Sequence, residues 1–177
     1  CIYCGFYSTT KTNLQDRYVD AMCKEMELRC NELVSTNRNI STIYIGGGTP
    51  SQLSITNIAK IFTQVHSVWG HRVDAEEVTI ECNPDDITDE FAQAISQLPI
   101  NRVSMGAQTF NDDRLKFLHR RHCANEVKTA VSRLQKYGIK NISIDLMFGF
   151  PEESLNDWAS DIDAAISLGV QHISAYS

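Results

Sequence analysis

Short apolar runs rich in β-branched residues alternate along the chain with longer segments in which apolar residues recur every three or four positions. The first pattern is typical of buried strands and the second of amphipathic helices. The runs predict five strands, at 41–45, 77–81, 102–105, 142–147 and 172–176. The longer segments predict helices at 13–34, 54–69, 88–97, 112–137 and 154–168, and the fourth of these is expected to break near Arg121.

Successive predicted strands begin roughly 25 to 40 residues apart. This is the length of one strand–loop–helix–loop unit, and such units build parallel sheets. A further strand leading into Cys1 would make six parallel strands. Periodicity alone leaves open a doubly wound sheet and a full or partial (β/α) barrel. We interpret residues 1–177 as one domain. Because the sequence lacks an initiator Met and stops directly after an apolar run, we expect it to be part of a longer protein.

Composition and charge narrow the classes of protein that fit. Hydrophobic residues make up 42% of the chain and charged residues 21%, which is typical of a folded globular domain. The formal net charge of −6 argues against a general electrostatic attraction for nucleic acid. No apolar stretch approaches the roughly 20 residues of a membrane-spanning helix, and no signal peptide is recognisable. We therefore expect a cytoplasmic protein without a membrane span.

Polar or glycine-rich segments follow each predicted strand. They are Gly46–Pro50, Glu81–Pro84, Gly106–Gln108, Asp145 with the residues after it, and Tyr176–Ser177. In parallel α/β proteins the ligand binds at the carboxyl ends of the strands. The sequence therefore predicts a single ligand site at this edge of the sheet.

Three consecutive glycines follow the first predicted strand, at 46–48. Without side chains, the backbone of this loop can approach a ligand closely and adopt positive φ angles. A dinucleotide-binding fingerprint is not met, because Ser51 stands where its third glycine belongs, and the Gly-Lys-Ser/Thr ending of a phosphate loop is absent. A plain tight turn remains one interpretation. The other is a backbone cradle for a small polar group, such as the head of an amino acid.

Cys1 and Cys4 are three positions apart, so one loop could wrap both thiols around a metal centre or join them in a disulfide. Four interpretations remain open at this point: an iron–sulfur ligand pair, half of a zinc site, a thioredoxin-like dithiol, and two structural cysteines. Zinc would need two more ligands, and His119 and His122 are closer together than is usual. The other four cysteines, at 23, 30, 82 and 123, are interpreted as small core residues.

Four further polar residues are candidates for the site: Glu81, Gln108, Arg120 and Asp145. A carboxylate at the end of an apolar strand is costly to bury unless it is paired or binds a ligand. Glu81 and Asp145 could instead be partly solvated, and Arg120 could be a surface charge. A plain metabolic enzyme using the two carboxyl groups as acid and base is a further hypothesis, which requires both groups to face one pocket.

Five segments, in order along the whole chain, match one family of proteins. They are Cys-Ile-Tyr-Cys-Gly-Phe-Tyr-Ser (1–8), Tyr-Ile-Gly-Gly-Gly-Thr-Pro-Ser (44–51), Ile-Glu-Cys-Asn-Pro (80–84), Arg-Val-Ser-Met-Gly-Ala-Gln-Thr-Phe (102–110) and Ile-Asp-Leu-Met-Phe-Gly-Phe-Pro (144–151). Together they resemble the radical S-adenosylmethionine (SAM) proteins of the oxygen-independent coproporphyrinogen III oxidase group. The resemblance implies a partial (β/α)6 barrel of the TIM type, with parallel strands, outer helices and a truncated N-terminus, and it places the chemistry at the carboxyl ends of the strands.

In the family that the chain resembles, three cysteines spaced C-x3-C-x2-C hold a 4Fe–4S cluster whose open iron is chelated by SAM. Cys1 and Cys4 match the second and third cysteines, and the first would precede the sequence. The resemblance implies that a reductant protein, such as a flavodoxin or ferredoxin, supplies the electron that splits SAM to a 5′-deoxyadenosyl radical. It also implies cofactor contacts for eight residues: Tyr3 beside the cluster; Gly47, Gly48 and Thr49 at the methionine end of SAM; Glu81 hydrogen-bonded to SAM; and Gln108, Arg120 and Asp145 at a second SAM or adjoining ligand.

Phe6 distinguishes between branches of this family. The oxidase has a fourth cysteine at the position that Phe6 occupies, and its absence resembles the haem-chaperone branch, which is associated with haem binding and delivery. The resemblance therefore implies a tetrapyrrole partner, which is haem for a chaperone or coproporphyrinogen III for an oxidase that decarboxylates two propionates. A non-catalytic module that binds a nucleotide or tetrapyrrole without a cluster is the alternative from another class.

Overall fold

The structure is a computed structural model that describes residues 3–5, 12–32 and 39–177. The strands are β1 (Ile40–Ile45), β2 (Val73–Cys82), β3 (Arg102–Gln108), β4 (Asn141–Met147) and β5 (His172–Tyr176). The helices are α1 (Gln15–Leu28), α2 (Ile55–Trp69), α3 (Asp89–Ile95), α4 (Asp112–Phe117), α5 (Ala124–Lys136) and α6 (Leu155–Ser167). The five strands and the break between α4 and α5 confirm the sequence prediction.

The five strands form one parallel sheet in the order β1-β2-β3-β4-β5. In a doubly wound sheet the strand order reverses at a switch point, whereas here it follows the chain, as it does in a (β/α) barrel. The sheet and its helices form a half-barrel, which confirms the partial barrel implied by the resemblance. The sixth strand predicted ahead of Cys1 lies outside the described residues.

The two faces of the sheet differ in chemistry, because side chains alternate along a strand. One face is apolar and packs against the helices in a single core; its members include Val78, Ile80, Val103, Met105, Ile142 and Ile144. The other face, called the polar face below, carries Thr79, Glu81, Ser104, Ser143, Asp145 and Ser174. The strand registers pair Glu81 with Ser104 and Asp145 with Ser174, so these residues lie side by side.

Serines fix the starts of two helices. The Ser54 hydroxyl accepts a hydrogen bond from the Asn57 amide at the start of α2. At α6, Ser154 accepts from the Asp157 amide and donates its own backbone N–H to the Asp157 carboxylate. This reciprocal pair is a capping box, and it satisfies two amides that a helix start leaves unbonded.

Helix α1 ends at Leu28, several residues before the end that periodicity predicts. Cys30 therefore lies beyond the helix, half-buried, and its carbonyl accepts a hydrogen bond from the Trp69 indole. Only Cys23 lies in the buried face of α1. The interpretation as a small core residue is therefore confirmed for Cys23 but wrong for Cys30, because the helix ends before it.

Strand β2 is longer than predicted. It begins at Val73, opposite Ile40, rather than at Glu77. In the added first half of the strand, the acidic residues Asp74 and Glu76 alternate with apolar ones, so a search for continuous apolar runs does not detect it.

None of the helices in the described part of the chain has the length and apolar character that a membrane span requires.

Candidate functional site

The carboxyl ends of the five strands lie at one edge of the sheet, because all the strands are parallel. We call this edge the rim. It is made of Gly46–Gly48, Glu81, Gly106–Gln108, Asp145 and Tyr176. These residues come from all five strands or from the turns that follow them, as the sequence predicts for a single ligand site.

The glycine loop after β1 needs its three glycines for two different reasons. A Cβ on Gly46 would lie 2.5 Å from Cε1 of Tyr44 and 3.0 Å from Oε1 of Glu81, so there is no room for one. Gly47 and Gly48 have φ angles of +81° and +52°, which side chains rarely adopt. Nothing lies within 4 Å of a Cβ built on either of them. The loop is therefore confined by side chains of β1 and β2 on one side and faces open space on the other.

Glu81 holds the glycine loop in place. Its Oε2 accepts a 2.8 Å hydrogen bond from the Gly47 amide, and its Oε1 accepts a 2.8 Å bond from the Tyr44 hydroxyl. Partial burial, and then the adjacent carboxylate, raise the pKa of Tyr44 to about 12. Both Glu81 oxygens are thus engaged with the protein, which does not favour Glu81 as a general acid or base.

Thr49 links this loop to a short turn of 3-10 helix, Pro50–Gln52. The carbonyl of Thr49 accepts a hydrogen bond from the Gln52 amide. The Ser51 hydroxyl donates to Asp86 and accepts from the Asn83 amide, so the turn is anchored to the segment after β2. The loop is therefore fixed at both of its ends.

The end of β3 is irregular, and it presents Gln108 to the rim. Met105 pairs with Ile144 but Gln108 pairs with Leu146, so β3 has one residue more than β4 over this stretch. This is a β-bulge, which commonly redirects a side chain. Gln108 is buried with a φ of +72°, and its Oε1 accepts a hydrogen bond from the Tyr176 hydroxyl. The bulge thus joins the ends of β3 and β5.

Arg120 lies over the bulge although it belongs to the segment between α4 and α5. Its Nη2 donates to the Gly106 carbonyl at 2.7 Å and to Oδ1 of Asn83 at 2.9 Å. A Cβ on Gly106 would lie 3.5 Å from this Nη2 and 2.9 Å from Nε2 of Gln108, so the absence of a side chain there lets both groups approach. Arg120 is therefore a half-buried part of the rim that is bonded to β3 and to Asn83, and not a free surface charge.

Tyr3 connects the segment carrying Cys4 to the rim. Burial raises the pKa of Tyr3 to about 12, and a hydrogen bond with Arg120 acts in the opposite direction. The Tyr3 and Tyr176 side chains also interact. Cys4 is exposed, and Cys1, the other cysteine of the expected cluster ligand pair, lies outside the described residues.

Asp145 lies on the polar face near the centre of the rim. Burial raises the pKa of this carboxyl, a hydrogen bond with Ser174 lowers it, and the charge of Glu81 raises it further. Asp145 in turn raises the pKa of Tyr176, whose shift is caused mainly by burial. A half-buried carboxylate with one protein partner keeps acceptor positions for a ligand hydroxyl or ammonium group.

The structure therefore brings most of the predicted site residues together. Tyr3, Arg120, Gln108 and Asp145 are linked through Tyr176, while Glu81 and the glycine loop form a second group beside them. Sequence reasoning placed Asn83 and Tyr176 in the predicted rim segments without giving them a role, and it missed the supporting roles of Tyr44 and His122. Alternation along β1 and β5 could have placed the two tyrosines on the polar face, but no sequence signal marked His122 as a partner of the bulge.

An apolar cavity of about 270 Å³ opens beside Tyr3. Its lining includes Phe117, Phe148, Phe150, Met147 and Pro151. Phe117 and Phe148 remain 55% and 41% exposed, which is unusual for such large apolar side chains. The rim thus has a polar part, over the strand ends, and an aromatic part next to it.

The polar part of the rim has the chemistry of a site for an amino acid joined to a nucleoside. The guanidinium of Arg120 and the open backbone at Gly47 and Gly48 suit a carboxylate, while the Asp145 carboxylate suits an ammonium or ribose hydroxyl. His122, one of the two candidate zinc ligands, is buried with Nε2 3.1 Å from the Ala107 carbonyl, which does not favour a zinc site.

Comparison with known proteins adds the family context. The family model of the Radical SAM superfamily matches residues 1–165. Heme chaperone HemW of Bacillus subtilis (strain 168) is 36% identical over 179 residues, covering 100% of this chain and 46% of the relative. Heme chaperone HemW of Lactococcus lactis subsp. lactis is 35% identical over 178 residues, covering 100% of this chain and 45% of the relative. The chain spans about half the length of these curated relatives.

Solved structures show the same fold. Coproporphyrinogen III oxidase (HemN) from Escherichia coli superposes with a TM-score of 0.85 at 24% identity, over 99% of this chain and 40% of that one. The Methanocaldococcus infernus Elp3 protein superposes with a TM-score of 0.69 at 19% identity, over 85% of this chain and 40% of that one. At these identities the likeness concerns the fold alone.

Proposed function

This chain belongs to the radical SAM superfamily, and from that premise we propose that it binds SAM across the rim, next to a 4Fe–4S cluster ligated by Cys1 and Cys4. Membership of this superfamily implies the cluster and SAM as cofactors. When bound, they supply one-electron reductive cleavage of the SAM sulfonium group, with the electron provided by a reductant protein such as a flavodoxin or ferredoxin.

One observation carries this proposal. Tyr3, one residue before Cys4, contacts Arg120 and Tyr176 at the rim. Residues 3–5, which include Cys4, therefore lie at the same edge of the sheet as the glycine loop. A ligand of the size of SAM can reach both only if they share an edge, so this placement supports a joint site.

Each rim residue has a role that suits its surroundings. We assign the methionine end of SAM to the open backbone at Gly47, Gly48 and Thr49, which Glu81 holds in shape. Glu81 also contributes negative charge near the ammonium group. Gln108, Arg120 and Asp145 would orient the nucleoside end or a second ligand through amide, guanidinium and carboxylate groups.

For the whole protein we propose haem binding and delivery. The curated relatives at 35–36% identity carry the name heme chaperone, and Phe6 stands where the oxidase that the chain resembles has a fourth cysteine. The aromatic cavity beside Tyr3 supports this proposal, because a flat tetrapyrrole buries well against Phe117 and Phe148. The second candidate is decarboxylation of coproporphyrinogen III, and the third is a cluster-free binding module.

The cofactor proposal is tested by anaerobic reconstitution of the protein in its full length. Wild type is expected to take up four irons per chain and to show an absorption and EPR spectrum that changes when SAM is added. Cys4→Ser is expected to lose the cluster. Cys123→Ser is the matched control, since Cys123 precedes α5 at a position where serine is favoured. Iron uptake by Cys4→Ser equal to that of wild type would contradict the assignment.

The haem proposal is tested with the same preparation. We expect haem to bind with a 1:1 spectral change, and coproporphyrinogen III to remain undecarboxylated in the presence of SAM and reductant. Phe148→Ser is expected to weaken haem binding about tenfold, because it removes a large apolar contact. Ile166→Ser serves as the control, because Ile166 lies near the C-terminal end of α6, is 61% exposed and does not line the aromatic cavity.

Two other outcomes would favour the alternatives. Decarboxylation without haem binding would favour the oxidase. Haem binding by a protein that takes up no iron would favour the cluster-free module.

A further inference from the structure

Two side chains from the connection between α4 and α5 contact the backbone at the end of β3. Arg120 Nη2 donates to the Gly106 carbonyl at 2.7 Å, and His122 Nε2 lies 3.1 Å from the carbonyl of the next residue, Ala107. Both carbonyls fall within the bulge, where the ladder between β3 and β4 is interrupted. Buried backbone carbonyls need a partner, and here the partners come from a distant segment of chain.

Gln108 follows these carbonyls in a strained conformation. The Thr109 amide donates to the Ala107 carbonyl at 3.0 Å, which closes a three-residue turn around Gln108 with a φ of +72°. A turn of this kind is rare for a residue with a side chain. Such strain persists only where the surroundings fix it, and it is common at functional sites.

The turn is held from two sides. On the helix side, Asp161 of α6 accepts hydrogen bonds from the Thr109 hydroxyl at 2.6 Å and from the Phe110 amide at 2.8 Å. On the other side, His122 contacts the carbonyl of Ala107, which is the first residue of the turn. Gln108 lies between these two anchors, and its side chain meets Tyr176.

His122 contacts the turn as a neutral imidazole. Its side chain is 3% exposed, and because Nε2 faces a carbonyl oxygen, Nε2 must carry the hydrogen. Nδ1 is buried without a hydrogen-bond partner among the described residues. Burial, and then the nearby charge of Arg120, lower the pKa of His122 to about 4, with Glu126 raising it and Arg121 lowering it. His122 therefore stays neutral at physiological pH.

We propose that His122 is a positioning residue for the SAM site: its Nε2–H fixes the Ala107 carbonyl and thereby holds the Gln108 side chain at the rim. This inference rests on the proposed function, since it assigns Gln108 a ligand to orient. His122 acts only through the β3 bulge, and it has no contact of its own with the ligand.

A matched pair of variants tests the proposal in the reconstituted protein of full length. In His122→Gln the amide nitrogen can reach the Nε2 position, whereas in His122→Asn it reaches only the Nδ1 position. We expect the SAM dissociation constant to stay within about threefold of wild type for the Gln variant. We expect it to rise about tenfold for the Asn variant, in line with the loss of one hydrogen bond to a buried carbonyl.

Two further measurements separate positioning from a general loss of stability. Val131→Ala removes buried apolar volume from α5 and should lower the melting temperature without changing SAM affinity. Combining His122→Asn with Gln108→Leu should weaken SAM binding no more than Gln108→Leu alone, because both act on one contact. Equal SAM affinity of the Gln and Asn variants, or additive losses in the double variant, would overturn the inference.

Failure of the proposed function gives a different result. If the wild-type protein binds no SAM, the cofactor proposal fails, and crystal structures of wild type and His122→Asn decide the inference alone. We expect Gln108 to leave its left-handed conformation and its contact with Tyr176 in the Asn variant. An unchanged Gln108 in that variant would overturn the positioning role.

Discussion

Glycines with similar backbone angles have different roles at different places in this chain. Gly47 and Gly138 have φ angles of +81° and +90°, and neither has an atom within 4 Å of a built Cβ. Gly47 belongs to the rim, whereas Gly138 lies just after α5. The two positions therefore impose the same conformational demand, but only one of them faces the proposed ligand.

This contrast gives a first prediction. Gly47→Ala and Gly138→Ala should each destabilise the protein by about 1–2 kcal/mol, because an L-residue is strained in the left-handed region. Only Gly47→Ala should also weaken SAM binding, since its methyl group enters the open side of the loop. Thermal melting and equilibrium binding of SAM measure the two effects. Equal SAM affinities of the two variants would contradict the assignment of the loop.

A second prediction concerns Glu81 and Tyr44. Glu81→Gln removes the negative charge that, together with burial, raises the pKa of Tyr44 to about 12. The pKa of Tyr44 should therefore fall toward its ordinary value of 10, which NMR of labelled tyrosine can follow. In wild type the folded state holds this proton more tightly than the unfolded state, so stability is lost as the pH rises above about 10. The variant should lose less stability from this group, and an unchanged pKa would contradict the contact.

A third prediction concerns acid pH. Unfolded chains protonate His122 near pH 6.5, whereas the folded state resists protonation down to a pKa of about 4. The unfolded state therefore binds more protons between these values, and stability should fall as the pH is lowered from 6.5 to 4. The contribution of this group is on the order of 3 kcal/mol. Urea titrations at several pH values give the free energy of unfolding of wild type and of His122→Gln. Between pH 4 and 6.5 this free energy should fall more steeply with decreasing pH in wild type. Parallel pH profiles of the two proteins would contradict a buried neutral His122.

Among single residues, the glycine loop and the polar strand ends could be predicted from the sequence. Few structures other than a ligand site combine three consecutive glycines with carboxylates at the ends of apolar strands. The contact of Glu81 with the loop itself could not be predicted. That contact depends on the register between β1 and β2, which pairs Tyr44 with Thr79 and Ile45 with Ile80. Register is a property of two strands together, and no single stretch of sequence carries it.

At the scale of the elements, Asp86 joins three parts of the chain. They are the segment after β1, the segment after β2 and the connection between α4 and α5. Its carboxylate accepts hydrogen bonds from Ser51, Gln52 and Arg121, and its side chain is only 8% exposed. Hydrogen bonds to a buried charged group contribute more to stability than exposed ion pairs. Asp86 therefore fixes the relative positions of the segments that carry the glycine loop and Arg120.

The fourth prediction follows from this meeting point. Asp86→Ala should lower the free energy of unfolding by about 2 kcal/mol, since it leaves the buried Ser51 hydroxyl without its acceptor and removes the shared acceptor of Gln52 and Arg121. Asp113→Ala is the control, because the ion pair of Asp113 with Lys116 is exposed and should contribute less than about 1 kcal/mol. Denaturant titration compares the two variants. A similar loss of stability in both would contradict the role of Asp86.

Element boundaries show what periodicity can and cannot predict. The strand at 172–176 and the break between α4 and α5 match the prediction, because apolar spacing and the polar segment around Arg121 mark them. The β3 bulge was not predicted, since it arises from pairing with β4 and from side chains of a remote loop. The extent of β2 was underestimated because acidic residues alternate through its first half.

At the scale of the whole molecule, the half-barrel separates packing from chemistry. The helices cover the apolar face of the sheet, while the polar face and the rim carry nearly all the candidate site residues. The fold class could be predicted from the spacing of strands and helices, and the choice of a barrel came from the family resemblance. The strand order supports that choice independently.

The crystal structure of the reconstituted full-length protein with SAM bound tests the central claim most directly. We predict that Cys1 and Cys4 ligate a 4Fe–4S cluster at the rim, with the methionine end of SAM against Gly47 and Gly48 and its remaining groups near Asp145. A cluster or a SAM molecule bound at the amino ends of the strands, or Cys4 directed away from the glycine loop, would contradict this claim.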